Sequence, residues 1–327
     1  MSKRKKSKKS KYLFIVLFLI IVICIIFYFC KKPILALGPF EQKYAELRIT
    51  AQKKQKYNDC LSKPYQDESV TEQFNELINT LADNSLGIYF EDINNGYSLT
   101  YNETKNHYAA SIIKLYAAIY LLDNARNNSI NIYDTITYTK GYSPVAGEKL
   151  SGRKVGEEIT LSDLINYSIS VSDNGAYLML IDYIGVNNLK EYAKNTLDVT
   201  LTINQNDKFG YLDVTDTNKL LKYVYEFIQT DDEYSTILID AMNNTYYNAL
   251  NFNNITFLHK YGYYGQYFNN IGIYNSNNPY LISIFTLYGD PDKGALNKVQ
   301  DISTNIFNIY QANLEAKDNY CYNLAYN

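Results

Sequence analysis

Strand-like sequence falls at the two ends of the folded body of this chain, with helical sequence between. At the leading end, Gly87–Asp92 and 97–101 are rich in aromatic and β-branched residues, and they flank the turn signal Asn94-Asn95-Gly96. At the trailing end, 257–260, 270–274 and 281–287 alternate or run apolar. Strands so far apart in sequence have one simple solution, a single antiparallel sheet that joins both ends around a helical section. Helical spacing appears at Phe74, Leu77, Ile78 and Leu81, and again over 111–122, 161–184, 216–228 and 298–314. A cap signal at Thr215/Asp216 precedes the fourth of these. The expected class is α+β.

The N-terminus has a different character. Residues 12–30 are 19 uncharged, mostly apolar positions, preceded by seven basic residues and followed by Lys31 and Lys32. As a helix this run is about 28 Å long, close to the thickness of a hydrocarbon core of about 30 Å. The flanking cations are expected to hold residues 1–11 in the cytoplasm, which leaves the body outside the cell membrane. A cleaved signal peptide is the alternative, but the run exceeds the usual length and no small-residue cleavage site follows. Residues 31–70 read as a stalk, punctuated by Pro33, Gly38, Pro39 and Pro64, with polar helical sequence over 41–63. Residues 71–327 read as the functional domain.

Composition narrows the classes of function. At 46% hydrophobic and 20% charged residues, the body has ample material for a core. Outside residues 1–32 there are 22 basic residues against 34 acidic ones, a balance that repels polyphosphate and argues against nucleic-acid binding. Only His107 and His259 are available as imidazole ligands, and no C-x-x-C spacing occurs, so no metal site or cofactor is expected. Cys60 and Cys321 lie outside the apolar run, and their pairing stays open. The 35 tyrosines, with no tryptophan, read as drift in an AT-rich genome; a tyrosine-lined groove for a sugar or peptide is the alternative.

Three short constellations carry chemistry. In Ser111-Ile112-Ile113-Lys114, a serine opening a helix has a lysine one turn on, on the same face. A buried amine of lowered pKa can take the hydroxyl proton, and the helix N-terminus favours developing negative charge. Alone, the same tetrad also fits solvated helix surface. Ser172-Asp173-Asn174 lies between apolar segments, either lining a cleft or capping a helix. In His259-Lys260-Tyr261-Gly262, a lysine on a strand beside glycine marks either a cleft edge or a guarded edge strand.

Taken together and in this order, the three constellations resemble S-x-x-K, S-D-N and K-T-G of the serine β-lactamase and penicillin-binding-protein superfamily, closest to the class A β-lactamase-like catalytic domain. The resemblance covers about residues 71–315. It implies a β-lactamase/DD-peptidase-like fold, with a five-stranded antiparallel sheet flanked by helices and an all-helical subdomain. It also implies roles. Ser111 matches the nucleophile that forms an acyl-enzyme, and Lys114 its proton acceptor. Ser172 matches the relay to the leaving nitrogen, Asn174 the contact to the substrate amide, and Lys260 the cation that tunes the site and attracts a substrate carboxylate. The backbone N–H groups of Ser111 and Tyr263 match the oxyanion hole, beside Tyr261 and Gly262 on the same strand.

Two departures stand out. Tyr261 replaces the small hydroxyl residue of the third motif, and its ring is expected at the binding edge. The stretch 200–215, where class A enzymes carry a water-activating glutamate, has none; Asp207 is the nearest carboxylate before Asp213. The reading is an anchored extracytoplasmic serine hydrolase or acyl-transferase acting on peptidoglycan peptide or a related small amide or ester. A true β-lactamase and a catalytically impaired binding module on the same fold are the alternatives.

Overall fold

The computed structural model describes residues 38–327, apart from 146, 253 and 254. The expected membrane span at 12–30 lies outside the described residues. Among those described, no helix is long and apolar enough to cross a membrane.

The chain divides into two compact units. The larger spans Ser62–Asn319, and the other holds the described residues up to Leu61 together with Tyr320–Asn327. Within the smaller unit, helix α1 (Pro39–Leu61) is tied to the C-terminal residues by a disulfide between Cys60 and Cys321, with Cα atoms 5.6 Å apart. Lys53 Nζ also donates to the Tyr326 carbonyl at 3.0 Å.

The larger unit opens with α2 (Glu68–Leu81), capped by the Asp67 carboxylate, which accepts from the Ser69 N–H. The hairpin β1 (Gly87–Asp92) and β2 (Ser98–Tyr101) follows in antiparallel register. After the two-residue β3 (His107–Tyr108), a 3₁₀ turn at Ala110–Ile112 leads directly into α3 (Ile113–Arg126). The short strands β4 (Thr135–Thr137) and β5 (Glu158–Thr160) pair with each other. Four helices come next or nearly so: α4 (Leu161–Ser170), α5 (Asn174–Ile184), α6 (Val186–Leu197) and, after β6 (Tyr211–Leu212), α7 (Val214–Ile228). Helix α8 (Glu233–Asn243) precedes the closing strands β7 (Leu258–Tyr264), β8 (Tyr267–Tyr274) and β9 (Tyr280–Phe285). Helix α9 begins at Ala295 and runs to Tyr326.

The five long strands form one antiparallel sheet in the order β2-β1-β9-β8-β7. The leading hairpin therefore meets the trailing strands at β1–β9, as the strand placement requires. Strand β9 is buried at every position because both faces of the sheet are covered. Its alternation assigns the faces. Leu281 and Phe285 join the core of the helical section, with α3, α5 and α7. Tyr280, Ile282 and Ile284 join a second core against α2 and α9, where Phe90, Tyr280 and Tyr310 pack ring on ring.

The middle section differs from the all-helical expectation. It also holds the ribbons β3–β6 and β4–β5. These strands are only two or three residues long, too short to generate a period-2 signal. The cap of α7 is Asp213, two residues before the position the sequence suggests: its carboxylate accepts from the Asp216 N–H at 2.8 Å.

Candidate active site

Three elements bring the sequence motifs together: the turn before α3, the turn before α5, and the free edge of the sheet at β7. Ser111 sits in the 3₁₀ turn and is 8% exposed; Lys114, in the first turn of α3, is fully buried. Ala110, just ahead of the serine, holds φ at +48°. Ser172 holds +58°. Left-handed backbone at a residue with a Cβ costs on the order of 1–3 kcal/mol, and such strain gathers at sites the surrounding structure over-determines.

Strand β7 can approach the serine turn only because residue 262 is glycine. A Cβ there would lie 2.6 Å from the Ala109 carbonyl oxygen and 3.1 Å from the Ile112 nitrogen, both backbone atoms. Gly262 thus shapes the site by close approach and does not line the cavity itself. The neighbouring register aims a donor. Phe268 gives its N–H to the Thr286 carbonyl on the β9 side. Its partner Tyr263 therefore forms a non-hydrogen-bonded pair and turns its N–H out from the free edge. Tyr261 follows the same parity, and its carbonyl accepts from Lys260 Nζ at 2.8 Å.

Ser172 Oγ lies between the two lysines. Lys260 Nζ donates to it at 3.0 Å and Lys114 Nζ stands 3.2 Å away. Lys114 Nζ also donates to the Ser172 carbonyl at 2.6 Å and to Asn174 Oδ1 at 2.7 Å. Burial pulls the Lys114 ammonium down to about 7, with the nearby Asp173 carboxylate opposing. Burial first, and then the Lys114 charge, hold Lys260 well below the ordinary lysine value. Ser111 Oγ makes no hydrogen bond among the described residues.

The two readings of Ser172-Asp173-Asn174 divide between its members. Asp173 is the helix cap: it accepts from the Ala176 N–H at 3.1 Å and from the Leu150 N–H at 3.0 Å. Ser172 and Asn174 face the site.

A cavity of about 310 Å³ opens over these groups, lined by Ser111, Ser172 and Asn174 at its polar side. Tyr108, Phe209, Tyr247, Tyr261, Tyr263 and Tyr264 supply most of the remaining wall, with Ala110 and Val171. Tyr261 packs edge-on against Tyr247 at 5.0 Å, and Tyr108 lies 5.2 Å from Tyr264. Tyr261 lines this cavity, with Lys260 Nζ 4.2 Å from its ring centroid. Tyr247, Phe209 and Tyr264 had no motif to announce them. Only the excess of tyrosine hinted at an aromatic wall.

No carboxylate lines this cavity among the described residues. Asp207 serves its own loop: one oxygen accepts from the Phe209 and Gly210 N–H groups at 3.0 and 3.1 Å and from the Tyr108 hydroxyl at 3.2 Å. Phe209 faces Lys114 instead, its ring centroid 6.0 Å from Nζ. Both histidines are structural: His107 bonds the Ser85 and Lys105 carbonyls, and His259 the Tyr247 carbonyl.

The sequence matches the beta-lactamase enzyme family over residues 69–310. The chain belongs to that family. Solved structures of the same fold agree with the assignment. PBP-A superposes with a TM-score of 0.65 at 20% identity, covering 76% of this chain and 98% of its own. A second PBP-A structure, of a variant in an acyl-enzyme complex with penicillin G, matches equally well. A beta-lactamase from Chitinophaga pinensis gives 0.64 at 18% identity, covering 74% of this chain and 99% of its own. No curated protein sequence matches this chain significantly.

Proposed function

We propose that this family member is a membrane-anchored, extracytoplasmic serine acyl-transferase or hydrolase that forms an acyl-enzyme at Ser111 on a cell-wall peptide or related amide or ester. The observation that carries the reading is the Ser172 hydroxyl held between two buried lysines, beside Ser111 in one cavity. Near neutral pH much of Lys114 is an amine. Its two N–H groups then serve the Ser172 carbonyl and Asn174 Oδ1, which leaves the nitrogen lone pair as a proton acceptor. Reacting hydrogen bonds of this kind commonly tighten only when substrate is bound. The Ser111 oxygen attacks the acyl carbon as its proton passes to Lys114. Carbonyl charge develops toward the N–H groups of Ser111 and Tyr263, each such donor contributing about 3–4 kcal/mol in comparable hydrolases. Ser172 then gives its proton to the leaving group and is reprotonated from the lysines.

Among the described residues no carboxylate lines the cavity, which favours a lasting acyl-enzyme over rapid β-lactam hydrolysis through a carboxylate-activated water. The acylated variant of PBP-A shows that this fold can hold such an adduct with penicillin G. The Cys60–Cys321 disulfide supports an extracytoplasmic location, since such bonds persist in oxidising compartments. The basic tail and apolar run of residues 3–30 support the anchor.

The test is a time course of intact mass for the purified full-length chain with an activated ester. The reading predicts an adduct that accumulates and decays slowly in water but quickly on adding an amine acceptor. Multiple fast turnovers in water alone would instead favour a hydrolase of the β-lactamase kind. Failure to form any adduct would favour the impaired module.

A further inference from the structure

Both lysines of the site are hidden from the cavity they serve. Lys114 and Lys260 are fully buried, and Lys260 Nζ meets Ser172 Oγ, the Tyr261 carbonyl and the Tyr261 ring. No lysine or arginine lines the cavity among the described residues. Beyond the two serines and Asn174, the wall that a substrate meets is apolar or aromatic: Ala110, Val171, Phe209 and five tyrosines. Burial pushes the Tyr108 and Tyr247 phenols well above the ordinary tyrosine value and Tyr261 up to about 12, so these rings stay neutral in the physiological range. A carboxylate entering here would lose its water and gain no cationic partner, which is costly. The charge balance of the body, 22 basic residues against 34 acidic, also repels an anion at longer range.

We infer that the site selects an acyl donor that is uncharged around the scissile bond, an ester or internal amide carrying an apolar group for the aromatic wall, and that Tyr261 enforces this selection. The inference deepens the proposed function and rests on Ser111 being the nucleophile. Tyr261 stands where a small hydroxyl residue would hold a carboxylate; its ring fills that space and covers Lys260. An uncharged donor buries its apolar group against Tyr247 and Tyr261 and leaves Asn174, exposed at the polar side, to meet the amide or ester dipole. The reaction is a simple acyl transfer: the Ser111 oxygen–carbonyl bond forms, the bond to the leaving oxygen or nitrogen breaks, and the leaving group takes the proton that Ser111 lost.

The experiment uses the purified full-length chain and two activated thioesters with the same aromatic acyl group. In one the leaving thiol ends in a carboxylate; in the other that carboxylate is a methyl amide. A small neutral fluorophosphonate, run in parallel, reports on Ser111 alone. Acylation rates are read by intact mass. The neutral thioester should react at least roughly tenfold faster. Tyr261→Thr should narrow the gap, chiefly by accelerating the carboxylate member, and Tyr261→Phe should keep it, because the ring and not the hydroxyl fills the space. If the fluorophosphonate labels the protein and the carboxylate thioester reacts as fast as the neutral one, the selection is overturned while Ser111 stands. If fluorophosphonate labelling also fails, the nucleophile assignment fails and the selection falls with it.

Discussion

A lysine acts as a base only when its surroundings make the ammonium expensive, and Lys114 meets that condition by burial alone. Its value is pulled down to about 7, far below that of an ordinary lysine, with desolvation as the leading cause and the Asp173 carboxylate pulling the other way. The direction of the pH effect follows. Below about 7 the ammonium carries no lone pair; above it the amine is ready. Acylation of Ser111 by a neutral thioester should therefore rise with pH through a limb near 7 and then level off. Lys114→Met should remove the limb and lower the rate by roughly 10²–10⁴-fold, the usual contribution of a positioned base. A stopped-flow pH profile of wild type that stays flat from 5 to 9, as rough bounds, would contradict this role.

The elements that build the site were unequally legible. The two ends of the sheet were visible because Gly87–Asp92 and Tyr280–Phe285 are apolar enough to mark strands covered on both faces. The ribbons β3–β6 and β4–β5 were not, because strands of two or three residues carry no period-2 signal, and helices α6 and α8 also went unread. The motif residues Ser111, Lys114, Ser172 and Lys260 were readable as types, but the hydrogen bonds among them were not. Sequence pairs Lys114 with Ser111, whereas the bonds that form are to Ser172 and Asn174, contributed by a left-handed turn that spacing does not reveal. Gly262 shows what the element scale adds. It reads as a third-motif glycine, and the structure shows backbone contact with the serine turn as its reason. Gly262→Ala must force β7 and that turn apart. Overpacking of this kind costs about 1–3 kcal/mol. A larger loss is expected in acylation than in thermal stability, since the displaced strand carries the Tyr263 N–H. Unchanged acylation in Gly262→Ala would show that the approach is not required.

At the scale of the whole molecule, the site is assembled from positions 111, 172 and 260, which no local segment could bring together. The sheet does so by pairing β1 with β9, so that β7 becomes the free edge facing the serine turn. Everything chemical in this account requires that long-range closure to present one serine, and that serine in particular, to an acyl donor. Trypsin isolates Ser111 on the fragment 106–114, where it is the sole serine. The deciding measurement is peptide mapping of the full-length chain quenched after exposure to the neutral thioester. The account predicts the acyl group on Ser111 in that fragment, and no adduct in Ser111→Ala. An equal adduct in Ser111→Ala, or one mapping to another residue, would contradict it.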